Sequence, residues 1–148
     1  VSGFLLDTNA ISMFSPSQAK ASEDFTAWLE EQERENGIYL SAVSIHEIEK
    51  GIRLLDHRGA TAKASAIRFW LLGLVSFYGD NILPIDAAVA QLSGELEAMA
   101  VTAGHSPGAA DAMIAGTAKA HGLTLVTRNL KHFEPFGIAV RSPDEPAP

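Results

Sequence analysis

Five short apolar runs recur between longer amphipathic stretches: GFLL (3–6), IYLS (38–41), ILPI (82–85), LTLVT (123–127) and a weaker GIAV (137–140). Runs of four or five residues without polar alternation are the pattern of strands buried on both faces. The intervening stretches, 17–35, 44–57, 60–78, 87–103 and 108–121, read as amphipathic helices. This alternation predicts an α/β domain: helices on both sides of a four- to five-stranded, mostly parallel sheet. A chain of 148 residues fits one domain, expected over residues 1–141. Residues 142–148 lack apolar anchors and are expected to form a flexible tail.

A parallel sheet also says where to look for a site. Ligands of open α/β sheets bind beyond the carboxyl ends of the strands. Asp7 directly follows the first apolar run, and Thr127, Arg128 and Asn129 end the fourth. These two loops are the expected meeting point.

Charge and cysteine content narrow the chemistry. The formal net charge of −7 rules out a general nucleic-acid binder, because phosphate binding rests on Lys and Arg. It leaves room for nucleic-acid chemistry where basic groups are local or a metal ion bridges the charge, and it suits a basic protein partner. Absent cysteines exclude disulfides, thiolate metal sites and thiol nucleophiles, and fit a reducing, cytoplasmic setting. The most apolar helical stretch, AIRFWLLGLVSFY (66–78), contains Arg68 and is shorter than a membrane span, so no membrane association is expected.

Three carboxylates stand out. Asp7 sits where a helix N-cap is expected, and capping is its plain explanation. Glu47 follows Ser44 at capping-box spacing. It also lies at the edge of the stripe Ile45, Ile48, Ile52 and Leu55, and Gly51, one turn on, has no side chain, so an opening beside Glu47 would give that glycine a use. Asp111, expected at about the fifth position of a helix capped by Ser106 and opened by Pro107, shares a face with Ile114, Ala115 and Ala118. A carboxylate on such a face calls for a cation. Asp86 reads as a simple N-cap and Asp80–Asn81 as a turn. If the three acids converge, all-oxygen ligands without Cys or clustered His favour Mg²⁺ or Mn²⁺ over zinc. The five histidines show no ligand spacing, with His132, near the fourth run, as the one to watch.

Taken together, LLDTNAIS, SAVSIHEIEKG, ADAMIAGTAKAHG and LTLVTRNLKHF, in this order, resemble a PIN domain. They are similar in particular to the toxins of VapBC-type toxin–antitoxin pairs and their FitB-like subgroup. The resemblance covers about residues 4–140 and implies an α/β/α sandwich. It implies metal-dependent endoribonuclease activity leaving 3′-hydroxyl and 5′-phosphate ends. It assigns Asp7, Glu47 and Asp111 to one or two Mg²⁺ or Mn²⁺ ions, with Asn9 and Thr127 supporting them. A fourth acid is common in this family directly after the Thr-Arg pair or three residues later. Here those positions hold Asn129 and His132, so Asn129 enters the catalytic set without a charge.

Glu47 is then the group that orients or deprotonates water, and Arg128 a phosphate contact, with Lys131 nearby. The apolar excess of 60–78 exceeds what one helix face usually buries, which points to a groove or dimer surface. The resemblance implies a homodimer, a cognate antitoxin, higher toxin–antitoxin assemblies, and operator DNA reached only through the antitoxin. The alternative is a PIN-fold binding module with weak cleavage, because Asn129 replaces an acid. A haloacid-dehalogenase-like phosphatase needs a second acid two residues after Asp7, and Asn9 stands there.

Overall fold

The computed structural model describes residues 3–16 and 21–144. Strands β1 (Phe4–Leu6), β2 (Ile38–Ser41), β3 (Ile82–Leu83), β4 (Thr124–Val126) and β5 (Val140–Arg141) form one all-parallel sheet in the order β3-β2-β1-β4-β5. The helices are α1 (Thr8–Ser12), α2 (Glu23–Arg34), α3 (Ala42–His57), α4 (Thr61–Tyr78), α5 (Ala87–Thr102), α6 (Ala109–Ala120) and α7 (Leu130–Phe133).

The sheet divides the interior in two because strand side chains alternate. Leu6, Leu40 and Val126 face a core with Ile11, Phe25, Ile48 and Ile52. Leu5 and Leu125 face the other, with Leu96, Ile114, Phe133 and Phe136. Apolar residues at successive strand positions therefore serve both faces, which gives the α/β/α sandwich. The chain builds β1, β2 and β3 outward in one direction, then returns to place β4 on the other side of β1. The switch point thus lies between β1 and β4, in register Leu6 to Val126.

Several local expectations are corrected. The expected helix 17–35 is α2 alone, starting at Glu23 behind the cap Ser22, while 17–20 lie outside the described residues. Ser44 does not cap α3: Ser41 does, accepting Val43 N–H at 3.1 Å, so Ser44 and Glu47 are not a capping box. Gly108, not Ser106, is the N-cap of α6, which makes Asp111 its third residue rather than about its fifth. The fifth strand lies at Val140–Arg141 instead of 137–140. Arg141 C=O accepts Thr127 N–H at 3.0 Å, and within the expected tail Pro143 is buried. Residues 145–148 of the expected tail lie outside the described ones.

The small residues of α6 pack on the sheet, Ile114, Ala115 and Ala118 against Leu5 and Leu125, while Gly116 faces α5. A Cβ there would stand 2.1 Å from Ser93 Oγ. On the other side, Arg68 ties α4 to α3 through Asp56 at 2.7 Å.

Candidate metal centre

Asp7 ends β1 and begins α1, so the plain and the chemical explanations both hold. Its Oδ1 accepts Thr8 N–H at 2.8 Å as an N-cap. Its Oδ2 accepts the Thr127 hydroxyl and the Asn9 amide, each at 2.8 Å. Thr127 is fully buried at the end of β4 and in turn accepts Asn129 N–H at 3.0 Å. Asn9 spans the two loops, because its Oδ1 accepts Arg128 N–H at 3.1 Å. Both expected supporting residues therefore fix Asp7 in one rotamer.

Glu47 reaches the same place from α3. Its Oε1 accepts the Thr8 hydroxyl at 2.5 Å. That bond uses the single Thr8 proton, which leaves buried Ser44 as the donor in the 2.8 Å Ser44–Thr8 pair. Thr8 and Ser44 thus position Glu47, a role the sequence analysis missed. Their signals were adjacency to Asp7 and placement three residues before Glu47.

Asp111 enters from the first turn of α6, where the helix dipole favours a negative charge. Asp7, Glu47 and Asp111 line one cavity of about 340 Å³, together with Thr8, Asn9, Ser12, Arg128 and Asn129. Asn129 is exposed on its wall. His132 Nδ1 stands 3.8 Å from Asp111 Oδ2, an ion pair only when the imidazole is protonated.

The electrostatics are those of crowded acids. Burial pushes the Asp7 carboxyl up to about 6. The bonds from Thr127 and Thr8 oppose that rise, and the charges of Asp111 and Glu47 add to it. Asp111 is also raised, by burial first; His132 opposes the rise and Glu47 adds to it.

Among the described residues, no three acidic or imidazole side chains stand close enough to hold one ion between them. The donors present fit a hard cation that keeps much of its water. Mg²⁺ is commonly held by one or two carboxylates with waters filling its octahedron. The cavity has room for those waters, and its acids are oxygen donors whose mutual repulsion a cation relieves.

Elsewhere, α2 and α4 border an apolar groove of about 1100 Å³ with Leu29, Trp70, Leu74 and Phe77 on its walls and Glu30 and Glu33 among its lining. Tyr78 Oη donates to Glu33 at 3.2 Å there. Phe69, Leu72 and Phe77 of α4 are 81%, 66% and 68% exposed, so this helix keeps its apolar excess on the surface. Among the described residues, no helix is long and apolar enough to cross a membrane.

Comparison with known proteins agrees with this architecture. The PIN-domain family model matches residues 4–135. The chain is 35% identical to Toxin FitB of Neisseria gonorrhoeae over 141 residues, covering 94% of this chain and 96% of that protein. It is 33% identical to VapC ribonuclease Y4jK of Sinorhizobium fredii over 144 residues, covering 97% and 99%. The crystal structure of FitAcB from Neisseria gonorrhoeae superposes with a TM-score of 0.79 at 35% identity, over 95% of this chain and 97% of that one.

Proposed function

The chain belongs to the PIN-domain family, and we propose that it is a Mg²⁺- or Mn²⁺-dependent endoribonuclease, the toxin of a type II toxin–antitoxin pair acting in the cytoplasm. It hydrolyses RNA phosphodiesters to 3′-hydroxyl and 5′-phosphate ends. The observation that carries this is the convergence of Asp7, Glu47 and Asp111, from three separate elements, on one cavity at the switch point of the sheet. Relatives that are named a toxin and a ribonuclease support the same conclusion.

Asp7 and Asp111 would hold the cation, with Glu47 reaching it or its water. Once bound, a divalent ion supplies a water of lowered pKa and offsets charge on the phosphoryl oxygens. The chain's own residues do the rest. Thr127, Asn9 and the Thr8 amide keep Asp7 ionised and in place, since donors to a carboxylate favour its charged form. Glu47, aimed by Thr8, accepts the proton of the attacking water. Arg128, from the loop that Asn9 anchors, contacts the phosphate. Asn129 orients water without adding charge.

The apolar groove and the exposed face of α4 are the surfaces for a second toxin subunit and a cognate antitoxin. The net charge of −7 suits a basic antitoxin segment over the acidic cavity.

The test is cleavage of structured and single-stranded RNAs with Mg²⁺ or Mn²⁺ and with EDTA. Asp7→Asn and Asp111→Asn should each abolish metal-dependent cleavage while the protein stays folded. Unchanged cleavage in both variants would sink the site assignment. Metal-bound wild type that binds RNA without cutting it would favour the binding-module alternative.

A further inference from the structure

A second cavity, of about 300 Å³, adjoins the carboxylate cavity and shares Thr8, Ser12 and Glu47 with it. Its other walls include Gly51 of α3 and Lys63 and Trp70 of α4. This size lies at the lower end of small-molecule pockets.

Gly51 is the informative residue. It sits inside a helix, where glycine is the poorest former apart from proline. A Cβ there meets no atom within 4 Å, so close packing does not require glycine. Nor does its backbone, which is helical. What the missing side chain does is leave the second cavity open beside Glu47.

The charges give that opening a direction. Among the described residues, Lys63 is the one cationic side chain lining the second cavity, as Arg128 is in the first. One cation thus lines each of two cavities that meet at Thr8, Ser12 and Glu47.

We propose that the cavity between Gly51, Lys63 and Trp70 seats the nucleotide adjacent to the scissile phosphate of a single-stranded RNA. The Trp70 indole meets its base and Lys63 meets the neighbouring phosphate. Aromatic surface and a cation are the two elements from which single-strand sites are built. A basic protein side chain, the competing occupant, is repelled by Lys63. The inference rests on the ribonuclease assignment of the adjoining cavity.

The test measures binding of a short, fluorescein-labelled single-stranded RNA of mixed sequence to the full chain by anisotropy. Ca²⁺ replaces Mg²⁺ so that binding is read apart from cleavage. Gly51→Leu fills the cavity and should raise the Kd by about tenfold or more. Gly51→Ala, which adds one methyl group, should leave it within about twofold. Both variants should melt at or above the wild-type temperature, because each improves the helix. Lys63→Ala should lower the slope of log Kd against log salt by about 0.7, and Lys63→Arg should keep it. Wild-type affinity in Gly51→Leu, an unchanged slope in Lys63→Ala, or no RNA binding by the wild type would overturn the proposal. So would a Gly51→Leu variant that loses only a protein partner. The ribonuclease assignment fails separately, if wild type binds this RNA but no RNA is cut with Mg²⁺ or Mn²⁺.

Discussion

The Thr127 hydroxyl donates to Asp7 Oδ2 at 2.8 Å, joining the ends of two neighbouring parallel strands across 120 positions of sequence. Thr127 is fully buried and Asp7 nearly so, so little water competes for this bond. Thr127→Val keeps the shape, removes the donor and orphans Asn129 N–H. It should destabilise the fold by about 1–2 kcal/mol in urea titrations. Mn²⁺ affinity, read by calorimetry, should fall several-fold because Asp7 loses a donor that favours its charged form.

Asp7 also sets a pH dependence. Burial, its main perturbation, holds the carboxyl at about 6, above its usual range. The folded state therefore binds a proton between about pH 4 and pH 6 that the unfolded chain has already released. The Asp7 contribution to stability falls as pH rises through this window, by up to about 3 kcal/mol, and the deficit persists above it. In EDTA, Tm should drop between about pH 4 and pH 6.5, and less so in Asp7→Asn. Added Mn²⁺ should recover wild-type Tm at the higher pH. A drop of equal size in Asp7→Asn would assign it to overall charge instead.

Asn129→Asp restores a fourth carboxylate on the exposed wall of the cavity. Mn²⁺ affinity should increase several-fold and cleavage should rise with it. Without metal, added repulsion should lower Tm at neutral pH and not at about pH 4. Unaltered Mn²⁺ affinity would place Asn129 outside the ion's reach.

The surface of α4 should matter to assembly more than to folding. Phe69 is 81% exposed, so Phe69→Ser should change stability by no more than about 0.5 kcal/mol. It should weaken toxin self-association or antitoxin binding, measured by sedimentation velocity. Unaltered association would move the interface off this face.

Gly116→Ala tests the contact of α6 with α5. The new methyl would meet Ser93 Oγ at 2.1 Å and the Ser93 backbone at 3.0 Å. Such overpacking should cost about 1–3 kcal/mol in urea unfolding. A neutral result would mean that the two helices separate easily.

How legible the protein was in its sequence can be followed residue by residue. Leu5 and Leu6 serve opposite cores, so an unbroken apolar run was enough to predict a doubly covered parallel sheet. Asp7 was visible as a carboxylate at the end of the first strand. Cap positions were harder. Ser41 and Ser44 are both plausible N-caps by type, and their roles depend on where the strand ends, which its pairing with β1 and β3 decides.

The sequence by itself determined the class of fold and the family and singled out the three acids as candidates, because apolar periodicity and short motifs are local properties. Tertiary structure alone decided that these acids share a cavity and that Thr8, Ser44, Asn9 and Thr127 hold two of them, Asp7 and Glu47, there. It alone decided that the opening at Gly51 is walled by Lys63 and Trp70 of α4. Those facts depend on distances between residues far apart in the chain, and such distances exist only once the strands have paired and the helices have packed across them.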